Sequence, residues 1–275
     1  MSRSKRSGIA KDTLQILEQG YYILSESKID ILEDQSHAID HTTLYAPEDS
    51  DLILSRYQQK NESINTIFKV IKQTTLDATR DLIAQGISDP FVLNFASAKN
   101  PGGGFLGGSQ AQEESIARAT GLYPCQLKME DYYKTHRGLS TCLYTDTMIY
   151  SPQVPILKDE TGSLLPQYVK ASMLTSAAVN TGVVKRKEPD NIAQILPIMR
   201  RRIRKVLAIA AEHQHKALVL GAWGCGVFQN DPAEIAQLFA EELNGDFKDQ
   251  FEQVTFAIYS KNERFIQPFE RLFTD

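Results

Sequence analysis

Two places in the sequence gather residue types that can do chemistry. The first runs Asn100-Pro101-Gly102-Gly103-Gly104-Phe105-Leu106-Gly107-Gly108-Ser109 and leads into Gln112-Glu113-Glu114. Five of the chain's sixteen glycines lie there. A loop without β-carbons can turn several backbone N–H groups onto one anion, and a helix start behind it adds positive potential. A tight turn at positive φ needs only one or two glycines, so the number favours a phosphate cradle. Neighbouring carboxylates on a helix point about 100° apart and cannot face one ligand equally. One can hold a hydroxyl while the other handles a proton. The competing explanation is the ordinary enrichment of glutamate in first turns, where it complements the helix dipole.

Two familiar nucleotide motifs come close to this stretch. Gly102, Gly104 and Gly107 satisfy the G-x-G-x-x-G dinucleotide pattern, but no convincing second strand delivers an acid about 20 residues later for the ribose. Gly102, Gly107 and Ser109 fit the P-loop frame, yet Gly108 stands where its lysine belongs. Without that cation the triphosphate reading is poor.

The second place follows the apolar run Ala217-Leu218-Val219-Leu220 and reads Gly221-Ala222-Trp223-Gly224-Cys225-Gly226-Val227-Phe228. Asn230-Asp231-Pro232 then supplies a cap and an early-turn proline for a helix. Strand, glycine loop and helix start again describe an anion site. Cys225 has no histidine near it in sequence, so close packing explains it better than nucleophilic chemistry. Phe228 reads equally as a ligand wall or an ordinary core aromatic.

These loops need a frame. Phe91-Val92-Leu93-Asn94-Phe95-Ala96 is a short apolar run typical of a buried strand. Ile67–Ile71, Met148–Tyr150, Met173–Val179, Ala217–Leu220 and Val254–Tyr259 are expected strands. Helices are expected at Ile9–Gly20, from a cap at Thr74 or Thr75 to Gly86, and at Glu113–Gly121, Asn191–His213 and Pro232–Leu243. This alternation predicts an α/β layered sheet, with ligands gathering at the carboxyl ends of its strands. Mixed short segments up to about Asn61 suggest an accessory layer at residues 1–65, packed on a main domain at 66–275.

Totals narrow the function. The chain has 275 residues, 42% hydrophobic and 23% charged, with a formal net charge of −4. That balance is ordinary for a globular protein and offers no basic excess for phosphate backbones. The one basic stripe considered, Arg200, Arg201, Arg202, Arg204 and Lys205, reads as a solvated helix face. Direct nucleic-acid binding is not expected. Three cysteines without a CxxC spacing argue for a reducing compartment, and the pairs His37/His41 and His213/His215 lack companions for a metal shell. Neither a signal peptide nor an apolar run of membrane-spanning length is visible. The expectation is a cytoplasmic protein with no metal, no cofactor and no membrane partner.

Gly102-Gly103-Gly104, seven residues, then Gln112-Glu113-Glu114 resembles the signature of poly(ADP-ribose) glycohydrolases. The longer string NFASAKNPGGGFLGGSQAQEES, from Asn94, looks like the bacterial-type branch built on a macro domain. The likeness runs from about Ile67 to the C-terminus, with a weaker one in IAKDTLQILEQGYY near the start. It implies a macro-domain-like three-layer α/β/α sandwich with a mixed sheet and an N-terminal helical extension. It further implies hydrolysis of the ribose–ribose O-glycosidic bond of poly(ADP-ribose), with Glu114 as general acid. Asn100 and Glu113 would hold hydroxyls of the ribose being cleaved. Gly102, Gly103, Gly104, Gly107, Gly108 and Gln112 would line the first loop of the ligand site. Gly224, Cys225, Gly226 and Val227 would offer backbone donors to the diphosphate, and Phe228 would pack on the distal ribose. Partners would be ADP-ribose, its polymer and ADP-ribosylated proteins. A glutamate acting as an acid near neutrality wants a pKa of roughly 6–7 against about 4.3 when free, which calls for a closed, desolvated site. Tyr259 or Phe256 is a candidate platform for adenine. Alternatives are a hydrolase of single ADP-ribose groups on protein or nucleic acid, a non-catalytic ADP-ribose reader, and an NAD-dependent oxidoreductase resting on G-x-G-x-x-G alone.

Overall fold

The structure, a computed structural model, describes residues 1–58 and 64–274. The chain opens with α1 (Arg3–Gln19), a hairpin of β1 (Tyr21–Leu24) and β2 (Ser27–Asp30), α2 (Leu32–Asp40), β3 (Thr43–Tyr45) and α3 (Pro47–Arg56). Next come β4 (Ile67–Ile71), α4 (Thr75–Ala84), β5 (Phe91–Phe95), α5 (Gln112–Ala119), α6 (Leu122–Lys128) and α7 (Glu130–Gly138). A long hairpin of β6 (Met148–Lys158) and β7 (Leu164–Ser176) precedes α8 (Thr181–Lys187) and α9 (Ile195–Glu212). The chain closes with β8 (Ala217–Leu220), α10 (Pro232–Asn244), β9 (Gln253–Ala257) and α11 (Gln267–Phe273).

Seven strands form one sheet in the order β3-β6-β7-β5-β8-β9-β4. The pairs β3–β6 and β6–β7 are antiparallel, and the remaining four pairs are parallel. Strand β5 lies at the centre and shows why its sequence reads as unbroken apolar residues: both faces are covered. Phe91 and Leu93 pack on the side of α9 and α10, while Val92 faces α4, α5 and α6. The result is the expected three-layer α/β/α sandwich with a mixed sheet.

Local chemistry sets the element ends. Ser2 accepts from the Lys5 N–H and starts α1 six residues before the expected Ile9, and Gly20 stops it at φ 79°. Thr74 accepts from the Asp77 N–H at the head of α4, and Asp231 from Ala233 and Glu234 at the head of α10. The expected helix Asn191–His213 is a 3₁₀ segment, Pro189–Gln194, followed by α9. The last strand ends at Ala257, which leaves Tyr259 outside the sheet. The first 58 residues supply an edge strand, β3, and α3, whose Ile53 enters the main core. The expected end of the mixed segment near Asn61 lies outside the described residues.

The basic stripe on α9 differs from its expectation. Arg202 and Lys205 are buried, and the equally buried Asp146 binds Arg201 at 2.6 Å, Arg202 at 3.0 Å and Lys205 at 3.2 Å. A buried carboxylate stays charged more readily with cations around it, and these neighbours hold the Asp146 carboxyl down to about 2, against its desolvation. Arg200 pairs with Glu241 and Glu242, and Arg204 with Asp246. Among the described residues no helix is long and apolar enough to cross a membrane.

Candidate active site

The carboxyl ends of β5, β8 and β9 open into a cavity of about 1040 Å³. Asn100, Gly103, Gly104, Gln112, Glu113, Glu114, Gly224, Gly226, Val227 and Phe228 all line it. Of the other expected residues, Gly102 is buried beneath the loop, Gly107 and Gly108 face α1, and Cys225 is buried. Burial pushes the Cys225 thiol well above the usual range, which removes it as a nucleophile at neutral pH. Phe256 is sealed in the core, whereas Tyr259 is 76% exposed and lines the cavity beside Phe265.

The first glycine loop does not behave as a backbone cradle. Its N–H groups go to protein acceptors: Gly102 to Gln126 Oε1 at 2.9 Å, Gly103 to the Asn100 carbonyl at 3.0 Å and Gly104 to Glu114 Oε1 at 3.0 Å. Gly107, Gly108 and Ser109 likewise donate to carbonyls within the loop. Glycine is required for closeness. Gly103 sits at φ +57°, and a β-carbon there would lie 2.5 Å from Glu114 Oε1. The loop is thus a mount for a carboxylate. One Glu114 oxygen is fixed by the Gly104 N–H, and its Oε2 has no hydrogen-bond partner among the described residues.

Glu113 points the other way, as the 100° offset along α5 requires. It is 3% exposed, and its oxygens accept from Ser97 N at 2.6 Å, Gln126 Nε2 at 2.9 Å and Asn94 Nδ2 at 3.3 Å. Desolvation pushes its carboxyl up to about 8, those three hydrogen bonds pull it down, and the neighbouring Glu114 charge adds to the rise. Gln112 is a strut: its Oε1 accepts from Phe95 N at 2.8 Å and its Nε2 donates to Leu93 O at 2.8 Å and Thr75 Oγ1 at 3.2 Å. It ties α5 to the end of β5 and to α4.

Sequence reasoning missed the outer support of this loop. Arg3 Nε donates to Gly107 O at 2.8 Å, Arg6 Nε to Gly108 O at 2.8 Å and Ser7 Oγ to Leu106 O at 2.7 Å. Residues 3, 6 and 7 share one face of a helix, so α1 caps three consecutive loop carbonyls. Gly108 is needed because a β-carbon there would collide with the Arg3 carbonyl. The shared apolar cluster of Ala10, Phe105 and Ala117 is small, so these polar bonds hold much of the contact. The only sequence signal was the glycine count.

The second loop is built differently. Trp223 is buried and donates from Nε1 to Ser176 O at 3.2 Å, and Asn230 Nδ2 holds Val179 O at 2.8 Å and Gly224 O at 3.1 Å. Beyond those anchors, the N–H groups of Gly226, Val227 and Phe228 have no acceptor among the described residues. Val227 is 77% exposed, and Phe228 leans on Tyr144 with ring centroids 6.1 Å apart. Free N–H donors on a glycine turn beside a helix start suit an anion. Opposite them stands an anchored carboxylate with one open oxygen.

A family model described as microbial-type PARG, catalytic domain, matches residues 10–159. Among solved structures, the chain is similar to poly(ADP-ribose) glycohydrolase from Thermomonospora curvata, with TM-score 0.95 and 38% identity over 98% of this chain and 100% of that one. The same enzyme bound to the inhibitor ADP-HPD gives TM-score 0.91 at 38% identity over 98% and 99% of the two chains. Poly(ADP-ribose) glycohydrolase from Deinococcus radiodurans in complex with ADP-ribose gives TM-score 0.81 and 42% identity over 86% of this chain and 95% of that chain. No curated protein matches the chain.

Proposed function

The chain belongs to the microbial-type poly(ADP-ribose) glycohydrolase family, and from that premise we propose that it cuts the ribose–ribose O-glycosidic bond with Glu114 as general acid. The observation that carries this is the asymmetry of the Glu114 carboxyl, one oxygen held by the Gly104 N–H and the other open at a cavity wall. A diphosphate on the N–H groups of Gly226, Val227 and Phe228 sets the distal ribose between Phe228 and the Asn100–Glu113 side. Tyr259 and Phe265 then offer faces to adenine at the other end. Fixed donors of this kind need no reorganisation as the reaction proceeds.

In the reaction, Glu114 gives its proton to the bridging oxygen as the anomeric C–O bond breaks, and the electron pair leaves with that oxygen. The ribose passes through an oxocarbenium-like state that nearby negative charge stabilises, from the ligand's own diphosphate among other groups. Water adds to the anomeric carbon and returns a proton to Glu114. The products are ADP-ribose and a shortened chain ending in a hydroxyl. Within this reading ADP-ribosylated proteins are the natural substrates, residues 66–275 are the catalytic domain with 1–65 packed upon it, and the location is cytoplasmic.

Product analysis on the polymer and on singly ADP-ribosylated protein, wild type beside Glu114→Gln, tests the proposal. Release of ADP-ribose from the polymer is expected to fall by at least about 100-fold, since general acid catalysis contributes roughly 10²–10⁴-fold. ADP-ribose binding is expected to stay within a few-fold. Turnover unchanged in Glu114→Gln would remove that residue from the role.

A further inference from the structure

Two basic clusters lie near one another in the chain and have opposite surroundings. Each cation of the Arg200–Lys205 run has a carboxylate partner. Lys185, Arg186 and Lys187, at the end of α8, are all exposed, and among the described residues none has an ion pair or side-chain hydrogen bond. The next residue, Glu188, is turned inward to Thr141, the Cys142 N–H and Asn191. Asp190 alone remains as an exposed acid on this turn, leaving a net positive patch.

The position of the patch matters more than its charge. Helix α8 begins just past Ala178, a cavity wall, and the Gly182 N–H donates to the Phe228 carbonyl at 3.0 Å. From Gly182 to Lys187 is roughly 7.5 Å along the axis at 1.5 Å per residue. Across the rim stands Lys99, next to the cavity-lining Asn100, with its carbonyl held by Arg137 Nε at 2.8 Å. Tyr144 bridges the two sides, packed on His136 at 5.6 Å and Phe228 at 6.1 Å. The cations therefore lie outside the cavity, beyond its Asn100 and Phe228 walls.

That side is where, on the reading under Proposed function, the ribose is joined to the rest of its chain. We propose that Lys185, Arg186 and Lys187, with Lys99 opposite, form a surface that binds the diphosphates of the polymer still attached to the unit in the cleft. This inference rests on that reading and names its substrate class: the patch favours a chain of several units over a single ADP-ribose group on a protein. Each repeating unit carries a diphosphate, so a run of unpaired cations at its exit meets charge with charge. Against an overall charge of −4, this turn is locally positive.

The test uses the whole chain carrying Lys185→Ala, Arg186→Ala and Lys187→Ala together. All three side chains are exposed, so folding is expected to be unaffected. For long polymer, KM should rise about five- to tenfold, since exposed ion pairs contribute modestly each, while kcat and the Kd for free ADP-ribose stay put. The log–log dependence of polymer KM on salt should become shallower by about 2, by analogy with single-stranded nucleic acids. A polymer KM equal to that of wild type overturns the proposal, as does a parallel loss of ADP-ribose affinity, which would indicate a structural role. A single-stranded oligonucleotide whose binding vanishes in the variant while polymer KM is unchanged overturns it in favour of nucleic acid. Failure of wild type to bind ADP-ribose would instead sink the reading of the cleft.

Discussion

The two glycine loops look alike in sequence and are opposites in structure. The first, at 102–108, spends its N–H groups inside the protein and is braced from outside by Arg3, Arg6 and Ser7. The second, at 221–228, is pinned at its base by Trp223 and Asn230 and leaves three N–H groups near its tip without an acceptor among the described residues. Glycine serves different ends in the two. At Gly103 the missing β-carbon lets the backbone close on Glu114, whereas a β-carbon on Gly226 would meet nothing within 4 Å. One loop aims a side chain and the other presents backbone. A site that must both place a proton and hold a charged ligand gains from this division, because aiming demands rigidity and an anion demands unspent donors.

The comparison can be broken at its stiffest point. Gly103→Ala forces a residue into left-handed backbone and drives its methyl against Glu114 Oε1, 2.5 Å from the ideal position. Displacing a catalytic group by about 1 Å costs on the order of 100-fold, so turnover should drop by at least that factor while the chain still folds. Near-normal turnover would mean that the loop does not aim the acid.

A smaller effect is expected from the outer brace. Arg6→Ala removes the guanidinium bonded to Gly108 O. A hydrogen bond to a charged group contributes about 1.5–3 kcal/mol, and in a chain of this size each kcal/mol moves Tm by about 2–4 °C. Thermal unfolding should shift down by several degrees and kcat by a few-fold, with KM changing less. A normal melting curve would show that α1 merely covers the loop.

The smallest effect belongs to the second loop. Gly226→Ala should leave Tm within about 1 °C of wild type, because an added methyl in open space perturbs stability by less than roughly 0.5 kcal/mol. A drop as large as that of Arg6→Ala, measured in the same unfolding experiment, would erase the distinction between the loops.

Much of the frame was legible in the residues. The run Phe91–Phe95 announced a central strand because a strand covered on both faces must be apolar throughout, and Asp231-Pro232 announced the head of α10 through cap chemistry. The pair Glu113–Glu114 was legible as two differently facing carboxylates from helix geometry alone. The α9 stripe was misread because Asp146, its partner, is 55 positions from Arg201 in sequence, and no local pattern reports such a distance.

Residue order by itself determined the strands β4, β5, β8 and β9, the helices α1, α4, α5, α9 and α10, where two side-chain-poor turns fall and which acids start α5, since each carries a signal within a few positions. Only the assembled fold decided what each turn does. Whether a glycine N–H faces ligand or protein depends on acceptors such as Gln126, 24 positions from Gly102, and on anchors such as Arg3, which donates to the Gly107 carbonyl from 104 positions away, and Trp223, which donates to the Ser176 carbonyl 47 positions away. Packing also decided which cations stay free, because Arg202 and Lys205 met a buried acid while Lys185–Lys187 ended a short helix facing water.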